Sequence, residues 1–287
     1  MSAQPLLFDL EPEVRVPRRI GQALVTRRRV RQILTKPTGA LKDLDFTINP
    51  YVGCSFACSY CYAAFFMPDE QKAHDWGYWV EVKENALELL RREDRLAGCK
   101  VLLGSVTDPY QPVERDTGLT KSIVEHLSRL EPQPSVRILT RSPLVSRDID
   151  IFRSLHELQV GMSVTTDDDA TRIRYEPSCA SIGQRLSAVK RLTEEGIRVT
   201  LNLAPLLPVT NVNAFAQMIR DSGASGFWAS YFHPGTRKFA AGTRPGALQQ
   251  AKMDDWCFEK FIETAHALKG LLPDLARSTV DADSLTS

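Results

Sequence analysis

Three closely spaced cysteines are the residues with the clearest chemical potential in this sequence. Cys54, Cys58 and Cys61 lie in the stretch NPYVGCSFACSYCY with the spacing C-x3-C-x2-C. Thiolates are soft ligands that favour zinc and iron–sulfur clusters. A structural zinc needs four protein ligands, so His74 or Cys99 would have to complete such a site here. A 4Fe–4S cluster normally uses four cysteines, so a three-cysteine loop would leave one iron open, which is a catalytic arrangement.

The cysteine spacing, with Tyr60 directly before the last cysteine, resembles the signature loop of the radical S-adenosylmethionine (SAM) superfamily. Later stretches of the chain are GSVTDPYQPVE, ILTRSPLVSRDIDI, SVTTDDDATRIRYEP and LNLAPLLP, in that order. Together they resemble the spore photoproduct lyase-like branch, often labelled DNA repair photolyases, over about residues 30–235. The resemblance implies a 4Fe–4S cluster and S-adenosylmethionine as cofactors, and a reducing partner such as flavodoxin or ferredoxin.

The resemblance also implies roles for single residues. Cys54, Cys58 and Cys61 would bind the metal cluster. The residues expected near S-adenosylmethionine are Tyr60, Ser105, Thr107, Asp108, Arg141, Ser163 and Asn202. Tyr62 is a candidate catalytic radical relay, with packing over the cluster as the alternative.

Simpler interpretations remain for several of these residues. Thr107 and Asp108 precede Pro109 and could form only a turn, because Asp and Pro favour turns. Arg141 stands where family members usually carry lysine, and its guanidinium could pair the cofactor's carboxylate in a bidentate way. Glu176 and Arg185 could pair with each other across a strand–helix loop, either as part of the functional site or as a structural ion pair.

One departure concerns the hydrogen donor of spore photoproduct lyases. Those enzymes use a cysteine in the loop where this chain has Ser105. An O–H bond is much harder to break homolytically than an S–H bond, so Ser105 cannot take over that role directly. Cys99 is near in sequence, but it precedes a predicted strand and should lie at the opposite end of the sheet.

The pattern of apolar runs predicts an α/β fold. The candidate strands are Asp45–Ile48, Lys100–Leu103, Ser135–Leu139, Gln159–Val164, Arg198–Leu203 and Gly226–Ser230. Segments of helical period lie between them, and strands that alternate with helices indicate βαβ units with a parallel sheet. Six units would make an open, partial (β/α)6 barrel of the TIM type, with its working loops after the carboxyl ends of the strands.

Charge and composition suggest how the chain is organised. The 287 residues are 43% hydrophobic and carry a net charge of +1, as in soluble globular proteins. Residues 1–45 are predicted to be an arm, because nine basic residues and no acidic one lie from Arg15 to Lys42. The partial barrel would occupy residues 46–235. A helical extension with a polar tail would occupy residues 236–287. The sequence shows no secretory signal and no membrane-spanning run, which predicts a cytoplasmic protein.

Three functions are compatible with these patterns. The first is a radical enzyme that repairs or modifies a nucleic-acid base, with the basic arm on phosphates and Trp76, Tyr78 and Trp79 available for stacking. The second is a radical enzyme that modifies a small metabolite or a peptide. The third is a non-catalytic iron–sulfur protein, which would have no need of a cofactor cleft. The resemblance favours the first.

Overall fold

A computed structural model describes residues 15–275, which form two β-sheets and the helices packed on them. The strands are β1 (Arg19–Ile20), β2 (Ala23–Arg28), β3 (Leu34–Thr35), β4 (Phe46–Ile48), β5 (Tyr51–Gly53), β6 (Trp79–Lys83), β7 (Lys100–Leu103), β8 (Ser135–Thr140), β9 (Leu158–Ser163), β10 (Arg198–Leu203) and β11 (Phe227–Ala229). The α-helices are α1 (Glu70–His74), α2 (Ala86–Arg91), α3 (Glu114–Thr117), α4 (Leu119–Leu127), α5 (Ile149–Phe152), α6 (Asp169–Tyr175), α7 (Ile182–Glu194), α8 (Val212–Asp221), α9 (Pro245–Met253) and α10 (Phe258–Leu271). Short 3-10 helices cover Gly39–Leu41, Tyr62–Phe66, Asp94–Leu96 and Pro143–Asp148.

The larger sheet contains the six predicted strands, each confirmed to within one residue at either end. Its order is β11-β10-β9-β8-β7-β4-β3, and every pair from β4 to β11 is parallel. β3 joins the β4 edge in the antiparallel direction. The strands do not close on themselves within residues 15–275, so the sheet has two edges. The parallel α/β fold is therefore confirmed, whereas a partial barrel stays a prediction.

The two faces of the larger sheet differ sharply in chemistry. Because the parallel strands follow one another in chain order, their right-handed crossovers place the helices on one side. The strand residues on that side are apolar and buried; they include Val101, Leu103, Ile138, Val160, Val199 and Leu201. Helix α7, which begins with a capping box of Ser181 and Gln184, contacts β9 and β10. The opposite side, here called the open face, carries Arg137, Leu139, Gln159, Gly161, Thr200, Asn202 and Trp228.

The predicted N-terminal arm is largely wrong. Strand β2 lies in a second sheet of order β1-β2-β6-β5, where it pairs in parallel with β6. The arginines of residues 27–29 form ion pairs with Glu81, Glu84 and Glu88, at 2.6 to 3.9 Å. Residues 15–45 are thus built into both sheets, since β3 also belongs to the larger one. Residues 1–14 of the arm lie outside the described residues.

The C-terminal part is helical as predicted, but it is divided. Helices α9 and α10 are separated at Asp254–Cys257, where Asp255 has a positive φ of 52°. Helix α10 packs on α8, and the backbone N–H of Phe227 donates to the carbonyl of Leu275 at 3.0 Å. The segment after residue 235 is therefore joined to the end of the larger sheet. The predicted polar tail lies outside the described residues. Between residues 15 and 275, no helix has the length and hydropathy to cross a bilayer.

Candidate active site at the carboxyl ends of the parallel strands

The cysteine loop follows β5 and is held by the loop that follows β7. Gly53 begins the turn with a φ of +79°, and a Cβ atom there would lie 2.6 Å from the carbonyl oxygen of Trp79, so only glycine fits. Gln111 accepts a hydrogen bond from the Ser55 amide at 2.9 Å and donates to the Gly53 carbonyl at 3.2 Å. The Ser59 amide donates to the carbonyl of Tyr175 at 2.8 Å. Two separate segments of the chain, one with Gln111 and one with Tyr175, thus fix this loop.

All three cysteines of the loop are free thiols. Cys54 and Cys58 are buried, and Cys61 is half-buried. Burial raises the pKa of Cys54, and it raises the pKa of Cys61 to about 11. The thiol of Cys179, whose Sγ lies 3.8 Å from that of Cys58, lowers the pKa of Cys58 by hydrogen bonding. Only the fold reveals this contact, because Cys179 lies 121 residues from Cys58 in the sequence.

The cysteine loop suits a cluster better than a single ion. Within the described part of the chain, no group of three or more His, Cys, Asp or Glu side chains converges on one metal ion. A cubane binds each thiolate to a different iron, so its ligands stand farther apart than the ligands of one zinc. His74 and Cys99, either of which could complete a zinc site, are bonded elsewhere, His74 to the carboxylate of Asp75 at 2.8 Å and Cys99 to the carbonyl of Arg95 at 2.9 Å. The donor set of three thiols on one loop therefore fits an iron–sulfur cluster.

Glu176 is the centre of a buried network that joins the cysteine loop to the ends of β8 and β9. Its Oε1 accepts hydrogen bonds from the Tyr60 hydroxyl, from Arg141 Nη1 at 2.8 Å and from the Thr165 hydroxyl at 2.8 Å. Its Oε2 accepts from Arg185 Nη2 at 2.5 Å, and neither of these two side chains is exposed. The predicted pairing of Glu176 with Arg185 is therefore confirmed. We call these five residues the Glu176 network.

Charge balance explains what the Glu176 network can do. Burial alone raises the pKa of the Glu176 carboxyl, but the guanidinium groups of Arg185 and Arg141 lower it to about 2. Glu176 is thus ionised at neutral pH, and two guanidinium groups share one carboxylate. The remaining positive charge favours thiolates, and Arg141 acts to lower the pKa of both Cys58 and Cys61. The network therefore provides a cationic environment for the cysteine loop.

Asp108 is buried and its carboxylate is occupied by the chain itself. Oδ1 accepts hydrogen bonds from the Thr140 hydroxyl at 2.7 Å and the Tyr110 amide at 2.8 Å. Oδ2 accepts from the backbone N–H of Arg141 at 2.8 Å. Burial raises the pKa of this carboxyl. The bonds show that Asp108 fixes the end of β8, and with it the position of Arg141; a contact with the cofactor stays a prediction.

The other predicted residues of this loop also bond to the chain. The Thr107 hydroxyl donates to the Gly53 carbonyl at 2.6 Å and accepts from Gln111 at 3.0 Å. The Ser105 hydroxyl oxygen accepts from Asn49 Nδ2 at 3.0 Å, and its proton remains available as a donor. Both residues therefore lie beside the cysteine loop, and their contact with the cofactor stays a prediction. Thr107 is engaged with the loop backbone, whereas half-exposed Ser105 has a free donor.

Arg141, Ser163 and Asn202 lie at neighbouring strand ends. Arg141 follows β8, with Nη1 bonded to Tyr60 at 2.6 Å and to Glu176, while its Nε and Nη2 have no partner within residues 15–275. Ser163 and Asn202 are register partners in β9 and β10. Asn202 Oδ1 accepts from Trp228 Nε1 at 2.5 Å, which leaves its Nδ2 free. Free N–H donors therefore remain on Arg141 and on Asn202.

Tyr62 lies on the other side of the cysteine loop. Its hydroxyl donates to the Ser105 carbonyl, and its ring makes an edge contact with His233 at 5.5 Å between centroids. Burial raises the pKa of Tyr62 well above its usual range. This geometry is compatible with both interpretations, a relay and a packed aromatic. Sequence reasoning missed His233, because it follows β11 and is brought here only by the fold.

One of the predicted base-stacking aromatics is excluded from that role. Trp76 is 2% exposed and belongs to the core. Trp79 is half-buried and donates its indole N–H to the carbonyl of Lys72 at 2.9 Å. Tyr78 is 56% exposed and remains accessible.

Cys99 lies just before β7, at the amino end of the sheet, as predicted, and its thiol bonds to the carbonyl of Arg95.

A family model described as the radical SAM superfamily matches residues 48–222, which covers the cysteine loop and four of the six parallel strands, β7 to β10. The chain belongs to the radical SAM superfamily. Membership of this superfamily implies S-adenosylmethionine and a 4Fe–4S cluster as cofactors.

Relatives of this radical SAM protein come from distant sources. An uncharacterised protein of Methanocaldococcus jannaschii is 36% identical over 174 residues, which cover 61% of this chain and 63% of that protein. An uncharacterised protein of Mycobacterium tuberculosis is 29% identical over 180 residues, which cover 60% of this chain and 52% of that protein. The match thus spans about half to three fifths of these relatives' length.

Solved structures of spore photoproduct lyase have the same fold. A cysteine-to-serine mutant of that enzyme superposes with a TM-score of 0.63 at 13% identity, covering 89% of this chain and 82% of the enzyme. A mutant with bound S-adenosylmethionine and a dinucleoside spore photoproduct gives a TM-score of 0.59 at 15% identity, covering 88% and 80%. At these identities the likeness establishes the fold.

Proposed function

We propose that Cys54, Cys58 and Cys61 bind the 4Fe–4S cluster and leave its fourth iron for the amino and carboxylate groups of S-adenosylmethionine. The observation that carries this assignment is the placement of three free thiols on one buried loop beside the cationic Glu176 network. When bound and reduced, the cluster supplies the electron that breaks a sulfur–carbon bond of the cofactor and yields a 5′-deoxyadenosyl radical. The electron would come from a partner such as flavodoxin or ferredoxin.

The chain's own residues bind and orient in this scheme. Glu176 bonds to both Tyr60 and Arg141, which joins the cysteine loop to the end of β8. The free nitrogens of Arg141 can pair a cofactor carboxylate, and Ser105, Ser163 and the Asn202 amide can bond its polar groups. Tyr60 and Thr107 act mainly by fixing the cysteine loop. Tyr62 is placed between Ser105 and His233, where it can relay a hydrogen atom.

We propose a nucleic-acid base as the group that reacts. The support is the shared fold with spore photoproduct lyase, one of whose structures holds a dinucleoside spore photoproduct. The reaction would be a repair or modification different from that of the lyase, because Ser105 stands at the expected donor position. Its hydroxyl bonds to Asn49, and no cysteine replaces it in the described loop after β7.

A small metabolite or a peptide is the second candidate substrate. It is favoured by the ion pairs that engage Arg27, Arg28 and Arg29, since a phosphate would have to compete with glutamates there. The burial of Trp76 also removes one of the aromatics expected to stack on bases. A small substrate requires neither feature.

The test uses protein purified and reconstituted without oxygen. The parent should carry about four irons per chain and, with a strong reductant, should slowly form 5′-deoxyadenosine and methionine from S-adenosylmethionine. Cys54→Ala, Cys58→Ala and Cys61→Ala should each abolish both signals.

Cys179→Ser is the matched control, because its thiol is equally buried and touches Cys58. It should retain iron and cleavage. Loss of the cluster in Cys179→Ser would show a fourth cysteine ligand and contradict the open iron. Retention of full iron in a triple alanine variant would contradict the whole assignment.

A further inference from the structure

The open face of the larger sheet carries a cavity of about 300 Å³. This volume is at the lower end of the range for small-molecule pockets. Leucines 41 and 44, which precede β4, and Leu102 and Leu139 of the sheet provide apolar walls. Asn202 is the one residue that this lining shares with the predicted cofactor residues. The cavity therefore adjoins the proposed cofactor position without being formed by it.

Arg137 is the charged group of the cavity. It lies in the middle of β8, its side chain is exposed, and it makes no hydrogen bond or ion pair within residues 15–275. The arginines at the end of the same sheet behave differently, since Arg141 and Arg185 are both paired with Glu176. A guanidinium with a planar fork of donors and no acidic partner is suited to bind an anion.

Trp228 provides a flat surface in the same cavity. It is 42% exposed, which is unusual for so large an apolar ring. Its indole N–H donates to Asn202 Oδ1 at 2.5 Å, so the ring is held in one orientation. A fixed and exposed indole face can stack on a planar aromatic ligand at little cost in side-chain entropy.

Two amide side chains complete the polar lining. Gln159 Nε2 donates to the Thr200 hydroxyl at 3.0 Å, which leaves its Oε1 as an acceptor. Asn202, whose free Nδ2 is assigned to the cofactor in the proposed function, lies at the boundary between the cavity and the cofactor position. Gly161 lies between them, and a Cβ atom at this position would come within 2.6 Å of both Asn202 and Leu139. The absence of a side chain at residue 161 thus allows the Asn202 amide to lie against the sheet and face the cavity.

We propose that this cavity binds a planar aromatic ring that carries an anionic group, with the ring against Trp228 and the anion on Arg137. The proposal rests on the proposed function, because it names the chemistry of the substrate that this radical enzyme would act on. A single nucleotide and an aromatic carboxylic acid share that chemistry. A cavity of this size holds one ring system, so a nucleotide would have to enter singly, outside a stacked duplex.

The test measures binding to the reconstituted holoenzyme under saturating S-adenosylmethionine by isothermal titration calorimetry. The probes are thymidine 5′-monophosphate and indole-3-acetate, each compared with its uncharged counterpart, thymidine or indole, and with inorganic phosphate. At least one anionic ring compound should bind about tenfold or more tightly than its uncharged counterpart, as expected for a hydrogen-bonded charge.

Variants then assign the two contacts. Arg137→Gln should remove the preference for the anion, and Arg137→Lys should keep most of it. Trp228→Leu should weaken the binding of the anionic ring compound and of its uncharged counterpart about tenfold, because stacking is lost. Trp228→Phe should weaken the binding of both less. Arg198→Gln is the matched control; this exposed arginine of β10 lies outside the cavity lining. It should bind as the parent does.

Every outcome of these binding measurements either supports or overturns the proposed cavity ligand. Binding of the nucleotide or of the carboxylate alone supports the cavity and identifies the source of its ligand. The proposal is overturned if neither anionic ring binds, if phosphate alone binds equally well, or if S-adenosylmethionine abolishes binding. Formation of 5′-deoxyadenosine is measured in the same samples. Cleavage of S-adenosylmethionine without binding of an anionic ring would contradict only the proposed cavity ligand. Binding of an anionic ring without cleavage would contradict only the proposed function.

Discussion

Two arginine–glutamate networks in this molecule use the same chemistry in opposite environments. In the Glu176 network, both Glu176 and Arg185 are completely buried. In the surface ladder of the smaller sheet, formed by residues 27–29 with Glu81, Glu84 and Glu88, the Arg28 side chain is 50% exposed. Several pair distances are similar, with 2.5 Å for Glu176 to Arg185 and 2.6 Å for Arg28 to Glu81. Burial, and not contact geometry, separates them.

The difference matters for function because buried and exposed ion pairs fail in different ways. Removing one member of a buried network leaves an uncompensated charge in the interior, which is strongly destabilising. Removing one member of an exposed ion pair costs little stability, because water and salt ions replace the lost partner. The Glu176 network can therefore impose a geometry on the cysteine loop, whereas the surface ladder can open to a competing ligand.

Replacing Glu176 is expected to cause the largest loss of stability. The variant Glu176→Gln keeps the shape but leaves two guanidinium groups without a carboxylate, so the free energy of unfolding should fall by about 3–5 kcal/mol. The matched control is Glu88→Gln, since Glu88 also contacts two arginines, Arg29 and Arg92, but at the surface. It should lose less than about 1 kcal/mol. Urea unfolding measures both, and equal losses would erase the distinction between the networks.

Lowering the pH should weaken the contribution of Glu176 to stability. The pKa of the Glu176 carboxyl is about 2 in the folded protein, against 4.5 for an ordinary glutamate. Its contribution to stability is complete above the unfolded pKa and disappears as the pH falls from about 4.5 towards 2. The stability gap between the parent and Glu176→Gln, measured on cluster-free protein, should therefore narrow between pH 6 and pH 3. A constant gap would show that Glu176 is not the titrating group.

Tyr60→Phe should have an intermediate effect. The change removes the hydroxyl that bonds to both Glu176 and Arg141 but keeps the ring. Stability should fall by about 1.5–3 kcal/mol, the range for a hydrogen bond to a charged group. The iron content should stay near that of the parent, since all three thiols remain. Loss of the cluster without loss of stability would mean that Tyr60 acts on the cluster directly.

The smallest effect is expected at the surface ladder. Replacing Arg27, Arg28 and Arg29 together by alanine should change the free energy of unfolding by less than about 1 kcal/mol per ion pair. Cofactor cleavage without substrate should be unchanged. If the ladder stays closed, the salt dependence of DNA or RNA binding, followed by anisotropy, should not change. A log–log slope flatter by nearly 3 units would instead show that about three arginines leave their glutamates for phosphates.

The parallel sheet was predictable because its strands are short apolar runs separated by helical periods, as in Lys100–Leu103 and Arg198–Leu203. The smaller sheet was missed, although the alternation in Trp79–Lys83 was an available signal. Strand β2 was misleading for a physical reason. Its arginines suggest an arm only until their partners are known, and those partners lie more than 50 residues away.

The site was predictable as a set of segments but not as a set of bonds. The cysteine spacing and the loop from Ser105 to Asp108 indicated two segments that the fold brings into contact. The part played by Glu176 required knowing that it meets Tyr60, 116 residues away, and Arg141, 35 residues away. Likewise, an aspartate whose oxygens are occupied by its neighbours has the same sequence signature as one that awaits a ligand.

The separation of the two faces of the larger sheet has an evolutionary consequence. Residues such as Val160 and Val199 bear the packing against the helices, so changes there are penalised through folding itself. Arg137, Gln159 and Trp228 lie on the opposite side of the same strands and contribute little to that packing. Selection can therefore alter the side chains of the open face while the scaffold and the cysteine loop are inherited unchanged. One backbone can in this way give rise to descendants with different substrates.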